Sequence, residues 1–172
     1  HIATHGFFLA DLPKVEDNTR TFSGIETQII VENPLLRSGL LFAGAKNVFN
    51  EDNSEQVRQE DGVLTAYEAM NLNLDKTDLV ILSACETGLG EIKNGEGVYG
   101  LQRAFQQAGA KSILMSLWTV SDEATQQLMS YFYINWLQKG YNKRQAFKMA
   151  QLQLRKKYPS PYHWGAFVLI GQ

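Results

Sequence analysis

DLVILSACETGLG, residues 78–90, decides how the chain is read. Its first half is continuously apolar from Leu79 to Leu82, as a strand buried on both faces should be, and its second half breaks into polar and glycine-rich residues around Cys85. Working outward, four more short β-like runs follow, several of them continuously apolar: HIATH (1–5), SGLLFAG (38–44), KSILMSLW (111–118) and GAFVLIG (165–171). Between them the period changes. Val98, Leu101, Phe105 and Ala108 recur at three- and four-residue spacing, and Gly109 follows where a helix would end. Ser121 and Asp122 can cap a second helix carrying Ala124, Leu128, Tyr131, Phe132 and Asn135, stopped by Gly140. Asn142 can cap a third with Phe147, Ala150 and Leu154 on its apolar stripe, closed by Pro159 and Pro161. Thr65 and Glu68 have the spacing of a reciprocal capping box, which predicts a short helix over 66–72. Strands alternating with helices predict an α/β fold: a mainly parallel sheet with helices on both faces. Residues 6–37 and 45–61 are polar and irregular, and are expected to be surface loops.

The composition narrows the functional classes. At 172 residues, 44% hydrophobic and 20% charged, the chain has the make-up of one globular domain with a real core. A net charge of −2 creates no long-range field toward nucleic acid or an anionic membrane, so neither partner is expected. No apolar run reaches the roughly 18 residues of a membrane helix. The chain holds one cysteine, so Cys85 has no partner for an internal disulfide, and a reducing compartment, the cytoplasm, is its expected setting. His1 to His5 already reads as a strand delivering a functional residue, which leads to the expectation that residues 1–172 are the C-terminal catalytic portion of a domain whose preceding strands lie elsewhere. A partner chain, an oligomer or marginal stability is expected to follow.

Two of the predicted strands end in reactive side chains, His5 and Cys85, and parallel strands in an open sheet bring their carboxyl ends to one crevice. The pairing suits thiol chemistry. A free thiol, with a pKa near ~8.5, is mostly protonated at neutral pH; an adjacent imidazolium favours the thiolate and can then protonate a leaving amine. Gly6 lets the backbone approach a substrate closely, so its N–H and that of Cys85 can together hold a tetrahedral oxyanion. Set against this, a lone cysteine after an apolar strand is on general grounds more often a packed small hydrophobe.

HIATHGFF (1–8), NPLLRSGLLFAGA (33–45), DLVILSACETGLG (78–90), the run from Gly95 to Thr125 and PYHWGAFVLIG (161–171) resemble the successive motifs of CHAT domains, caspase-like domains often found with tetratricopeptide repeats. The resemblance covers nearly the whole chain and rests on the combination of motifs. It implies a caspase-like three-layer sandwich and a place in the broad group of caspases, metacaspases, legumain, gingipains and separase. It further implies a cysteine endopeptidase with His5 and Gly6 as the His-Gly motif and Cys85 as nucleophile, no cofactor and no metal. Its setting would be bacterial regulated proteolysis, acting on a protein or peptide under control of a repeat region or partner chain. The chain departs from the caspase signature: Glu86 and Thr87 stand where Arg, Gln or Gly is usual, and His5 lies 80 residues before Cys85 where about 50 is expected. A catalytically silent interaction module that keeps the fold is the alternative.

Around this dyad, Glu86, Trp118 and Asp122 are candidates to contact substrate. Glu86 follows the nucleophile and has ordinary turn chemistry as its plainer reading. Asp122 can receive a basic P1 side chain or, more simply, cap a helix; Trp118 can wall the same pocket or belong to the core. The five glycines between Gly88 and Gly100 do not form a phosphate cradle, because Lys93 and Glu96 stand where glycine and lysine are required. His1 and His5, about 13 Å apart along a strand, cannot share a metal, and His163 lacks a ligand partner at useful spacing. RKKY (155–158) reads as a cationic helix end, and YFYINW (131–136) as packing.

Overall fold

The structure, a computed structural model, describes residues 1–8, 21–22, 25–26, 33–45, 61–83, 85–86 and 96–171. In chain order the strands are β1 His5–Phe8, β2 Thr21–Phe22, β3 Ile25–Glu26, β4 Ser38–Leu41, β5 Val63–Thr65, β6 Val80–Leu82, β7 Cys85–Glu86, β8 Ser112–Ser116 and β9 Phe167–Gly171. The helices are α1 Ala66–Ala69, α2 Glu96–Gln107, α3 Asp122–Tyr133, α4 Lys143–Lys157 and α5 Pro161–Trp164. The α/β class is as expected from the sequence. The chain divides into two compact units, one of His1–Ala3, Asp78–Cys85 and Lys111–Gln172, the other of Thr4–Thr77 and Glu86–Ala110.

In the first unit the sheet order is β6–β8–β9. β6 and β8 run parallel with Ile81 opposite Leu114, as their continuous apolar runs predict, whereas β9 runs antiparallel to β8 with Leu169 opposite Leu114. Val80, Ile81, Leu82 and Ser112 to Met115 are all buried. Against this sheet packs a cluster from α3 and α4, Leu128, Phe132, Phe147, Ala150 and Leu154 among them. Burial of each such leucine or phenylalanine contributes roughly 1.5–3 kcal/mol. Ser121 caps α3, its hydroxyl accepting from the Ala124 N–H at 3.3 Å, and Asn142 caps α4 in a reciprocal box with Gln145. Asp122 is therefore the first residue inside α3, and the cap is Ser121 alone. Gly140, at φ +72°, ends the α3 segment, as its position in the sequence implies.

In the second unit β1 pairs antiparallel with β4, and β4 with β5; the sheet is ordered β5–β4–β1, with β7, which ends in Glu86, as its fourth strand. α2 closes over β4 and α1, burying Leu40, Ala66, Ala69, Leu101, Ala104 and Phe105. Gly100 permits the close approach, since a β-carbon there would stand 2.8 Å from Ser38 Oγ. Gly109, at φ +105°, ends α2 where a β-carbon would meet the Asp75 backbone nitrogen at 2.8 Å. The Thr65–Glu68 capping box is present, on a helix of one turn that is shorter than expected.

Two expectations are corrected. Among the described residues the ladders are short and of mixed direction, β6–β8 parallel and β1–β4, β4–β5 and β8–β9 antiparallel, where the sequence suggested a mainly parallel sheet: apolar continuity reports burial on both faces and says nothing of direction. The stretch 6–37 is not all loop, because β1 continues to Phe8, β2 and β3 pair, and a tight turn covers Pro34–Leu36. The remainder of that stretch and residues 46–60 lie outside the described residues. PYHW (161–164) forms the short helix α5, with Pro161 at its first position, where a missing N–H costs nothing.

Candidate active site

Cys85 comes after the carboxyl end of β6, the arrangement that DLVILSAC led us to expect. β6 is locked on one side by β8. On its other side Ile2 makes a parallel bridge to Leu82: the Ile2 N–H donates to the Ile81 carbonyl at 2.8 Å and the Ser83 N–H to the Ile2 carbonyl at 3.1 Å. The first residues of the chain thus lie alongside β6 in the same direction, within one unit. Cys85 and Glu86 form β7, and their side chains lie outside the described residues, as do Ala84 and Thr87 to Gly95.

His5 does not end a strand, as the pattern of HIATH implies; it opens β1 in the second unit, opposite Leu41. The reason is local. The chain bends at Thr4, whose hydroxyl donates to the Leu41 carbonyl, and this hands the strand from its short parallel register at Ile2 to an antiparallel one. His5 is exposed, and Gly6, opposite Leu40, is buried.

Trp118 lies two residues beyond β8, on the surface at 36% exposure, so it is not the core residue of the plainer reading. Its indole N–H donates to the Tyr162 carbonyl at 3.0 Å, while the Tyr162 hydroxyl donates to the Thr119 carbonyl at 2.5 Å. These bonds tie the loop after β8 to α5. Asp122 is exposed at the first turn of α3, beside Glu123, where the helix dipole favours carboxylates. Among the described residues no group of three or more His, Cys, Asp or Glu is gathered for a metal.

Sequence reasoning missed three residues close to β6. His1, considered there only as a metal ligand, meets Ser83 Oγ through Nε2 at 3.1 Å and the Tyr133 hydroxyl through Nδ1 at 3.2 Å. Ser83 stands two residues before Cys85 at the end of an apolar strand, the one signal that could have singled it out.

A family model described as CHAT domain matches residues 1–172. Tetratricopeptide repeat protein 28 of Mus musculus and its Homo sapiens counterpart are each 33% identical to the chain over 112 residues, 63% of this chain. The match spans 4% of the length of these curated relatives. Both carry tetratricopeptide repeats in their names, in keeping with the expected association; both are mammalian and lend nothing to a bacterial setting.

Proposed function

The chain belongs to the CHAT domain family, a caspase-like family, and on that premise we propose that it is a cysteine endopeptidase with His5 and Cys85 as its catalytic dyad. The observation that supports the reading is the position of Cys85 just beyond the buried strand β6, in a chain whose whole length matches the family model. The three-layer caspase-like sandwich is part of the same proposal, and so are a reducing compartment and control by a repeat region or partner protein.

In this mechanism the Cys85 thiolate, favoured by the His5 imidazolium, attacks the scissile carbonyl carbon and forms a C–S bond. The carbonyl oxygen takes the negative charge and is held by the Gly6 and Cys85 backbone N–H groups. Collapse of this intermediate breaks the C–N bond, and His5 protonates the departing amine. His5 then takes a proton from water, whose oxygen attacks the thioester; the carboxylic product leaves and the thiol returns. Every proton and leaving group is accounted for by the dyad and one water, with no cofactor. Glu86, Trp118 and Asp122 are the side chains offered to substrate, Asp122 to a basic P1 residue.

The test needs no known substrate: the pH dependence of Cys85 alkylation by iodoacetamide, read by mass spectrometry in the wild type and in His5→Ala. A thiol titrating well below ~8.5 in the wild type and returning toward that value in the variant is expected. A thiol that titrates alike in both proteins overturns the dyad and leaves an interaction module that keeps the fold without catalysis.

A further inference from the structure

His1 lies between two hydroxyls, and both contacts engage ring nitrogens: Nε2 with Ser83 Oγ at 3.1 Å and Nδ1 with the Tyr133 hydroxyl at 3.2 Å. The His1 and Tyr133 rings stand 6.2 Å apart, tilted by 42°. All three residues belong to the same compact unit as Cys85. Each comes from a different part of it: His1 from the segment bridged to β6, Ser83 from the end of β6, Tyr133 from the last position of α3.

We propose that Tyr133, His1 and Ser83 form a phenol–imidazole–hydroxyl chain that fixes the backbone from which Cys85 emerges, making all three positioning residues for the thiol. The inference rests on the reading of Cys85 as the nucleophile. A neutral imidazole carries one N–H donor and one lone pair, so the chain has two proton arrangements. In one, Tyr133 donates to Nδ1 and the Nε2 N–H donates to Ser83, leaving the Ser83 proton directed onward. In the other, Ser83 donates to Nε2 and the Nδ1 N–H donates to Tyr133. Either arrangement pairs both ring nitrogens, which locks the ring plane and, through it, Ser83. Burial raises the Tyr133 phenol above its ordinary value, so it remains a neutral partner.

The backbone adds a second constraint at the same place. The Ser83 N–H is already held by the Ile2 carbonyl, next in the chain to His1. Ser83 is therefore clamped through both its backbone and its side chain, two residues before Cys85. A nucleophile displaced by about 1 Å can lose on the order of 100-fold in rate, so such a clamp has a function to serve beyond stability.

Two readouts test this in the wild type, Ser83→Ala, Ser83→Thr, Tyr133→Phe and His5→Ala: the plateau rate of Cys85 alkylation at high pH, and the ¹⁵N shifts of the His1 ring. The wild-type His1 ring is expected to show the ¹⁵N shifts of an imidazole hydrogen-bonded at both nitrogens. Ser83→Ala and Tyr133→Phe, each of which removes the hydroxyl partner of one ring nitrogen, are expected to move those shifts and change the plateau rate about tenfold, while Ser83→Thr, which keeps the hydroxyl, stays near the wild-type rate. Plateau rates unchanged in Ser83→Ala and Tyr133→Phe overturn the proposal, as does a Ser83→Thr protein that behaves like Ser83→Ala. His5→Ala separates this inference from the one before it. An unmoved titration midpoint there refutes the dyad, while the plateau rates and the His1 shifts still decide the positioning chain.

Discussion

Asp78 and Lys111 precede β6 and β8, and Lys111 Nζ reaches Asp78 Oδ1 at 2.7 Å on a largely exposed surface. The Lys111 hydrogen bond, then its charge, hold the Asp78 carboxyl below the ordinary carboxylate value against a small opposing effect of desolvation, with Lys143 adding in the same direction. Lys143 also donates to the Asp78 carbonyl at 3.0 Å and to the buried Ser112 hydroxyl at 2.7 Å. Because folding lowers this carboxyl, the stabilisation it contributes is complete above the ordinary carboxylate pKa and fades as pH falls through the lowered value. In Lys111→Met the Asp78 midpoint, monitored by NMR titration, is expected to rise back toward the ordinary value, and the acid limb of the stability curve to lose this contribution. A midpoint that stays where it was refutes the cause assigned to it. None of this was legible in the sequence. Asp78 and Lys111 stand 33 residues apart, and only the parallel pairing of the strands they lead into brings them together.

The helices were the most legible elements, because their limits are written in local chemistry: Thr65, Ser121 and Asn142 at the starts, Gly109 and Gly140 at the stops. The widened turn at the end of α3 was not legible. From Ile134 to Gln138 the helix widens by one residue per turn, with the Lys139 N–H donating to the Ile134 carbonyl at 3.1 Å. Asn135, 1% exposed, sits inside that turn. Its amide donates to Gln153 Oε1 at 3.0 Å, and its carbonyl oxygen accepts from Lys139 Nζ at 3.1 Å. Asn135→Ala is expected to cost about 1–3 kcal/mol in chemical denaturation, since it orphans polar groups at the contact of this turn with α4. A loss well under ~0.5 kcal/mol would show that apolar packing alone holds the turn. Helical spacing in the sequence put Asn135 on the apolar face correctly. It did not reveal that the face is polar there, because Gln153 comes from the next helix.

Within the first unit, β8 lies between β6 and β9, and Ser112 to Met115 are 0–3% exposed. Its amides are expected to exchange with deuterium through global opening, far more slowly than the amide of exposed Gly140; comparable rates at the two places refute this ordering. Membership of the CHAT family, the helix limits and the position of Cys85 after a buried strand were determined by the sequence itself, since each depends on residues close together in the chain. Among the described residues no helix is long and apolar enough to cross a membrane, as the hydropathy implied. Strand direction, the bend that makes His5 the start of β1, the surface position of Trp118 and the His1–Ser83–Tyr133 chain were decided only by tertiary structure. Local patterns record how buried a residue wants to be and where a helix stops. Hydrogen bonds between residues dozens of positions apart form only once the chain has folded back on itself, and no local pattern records which partner each will find.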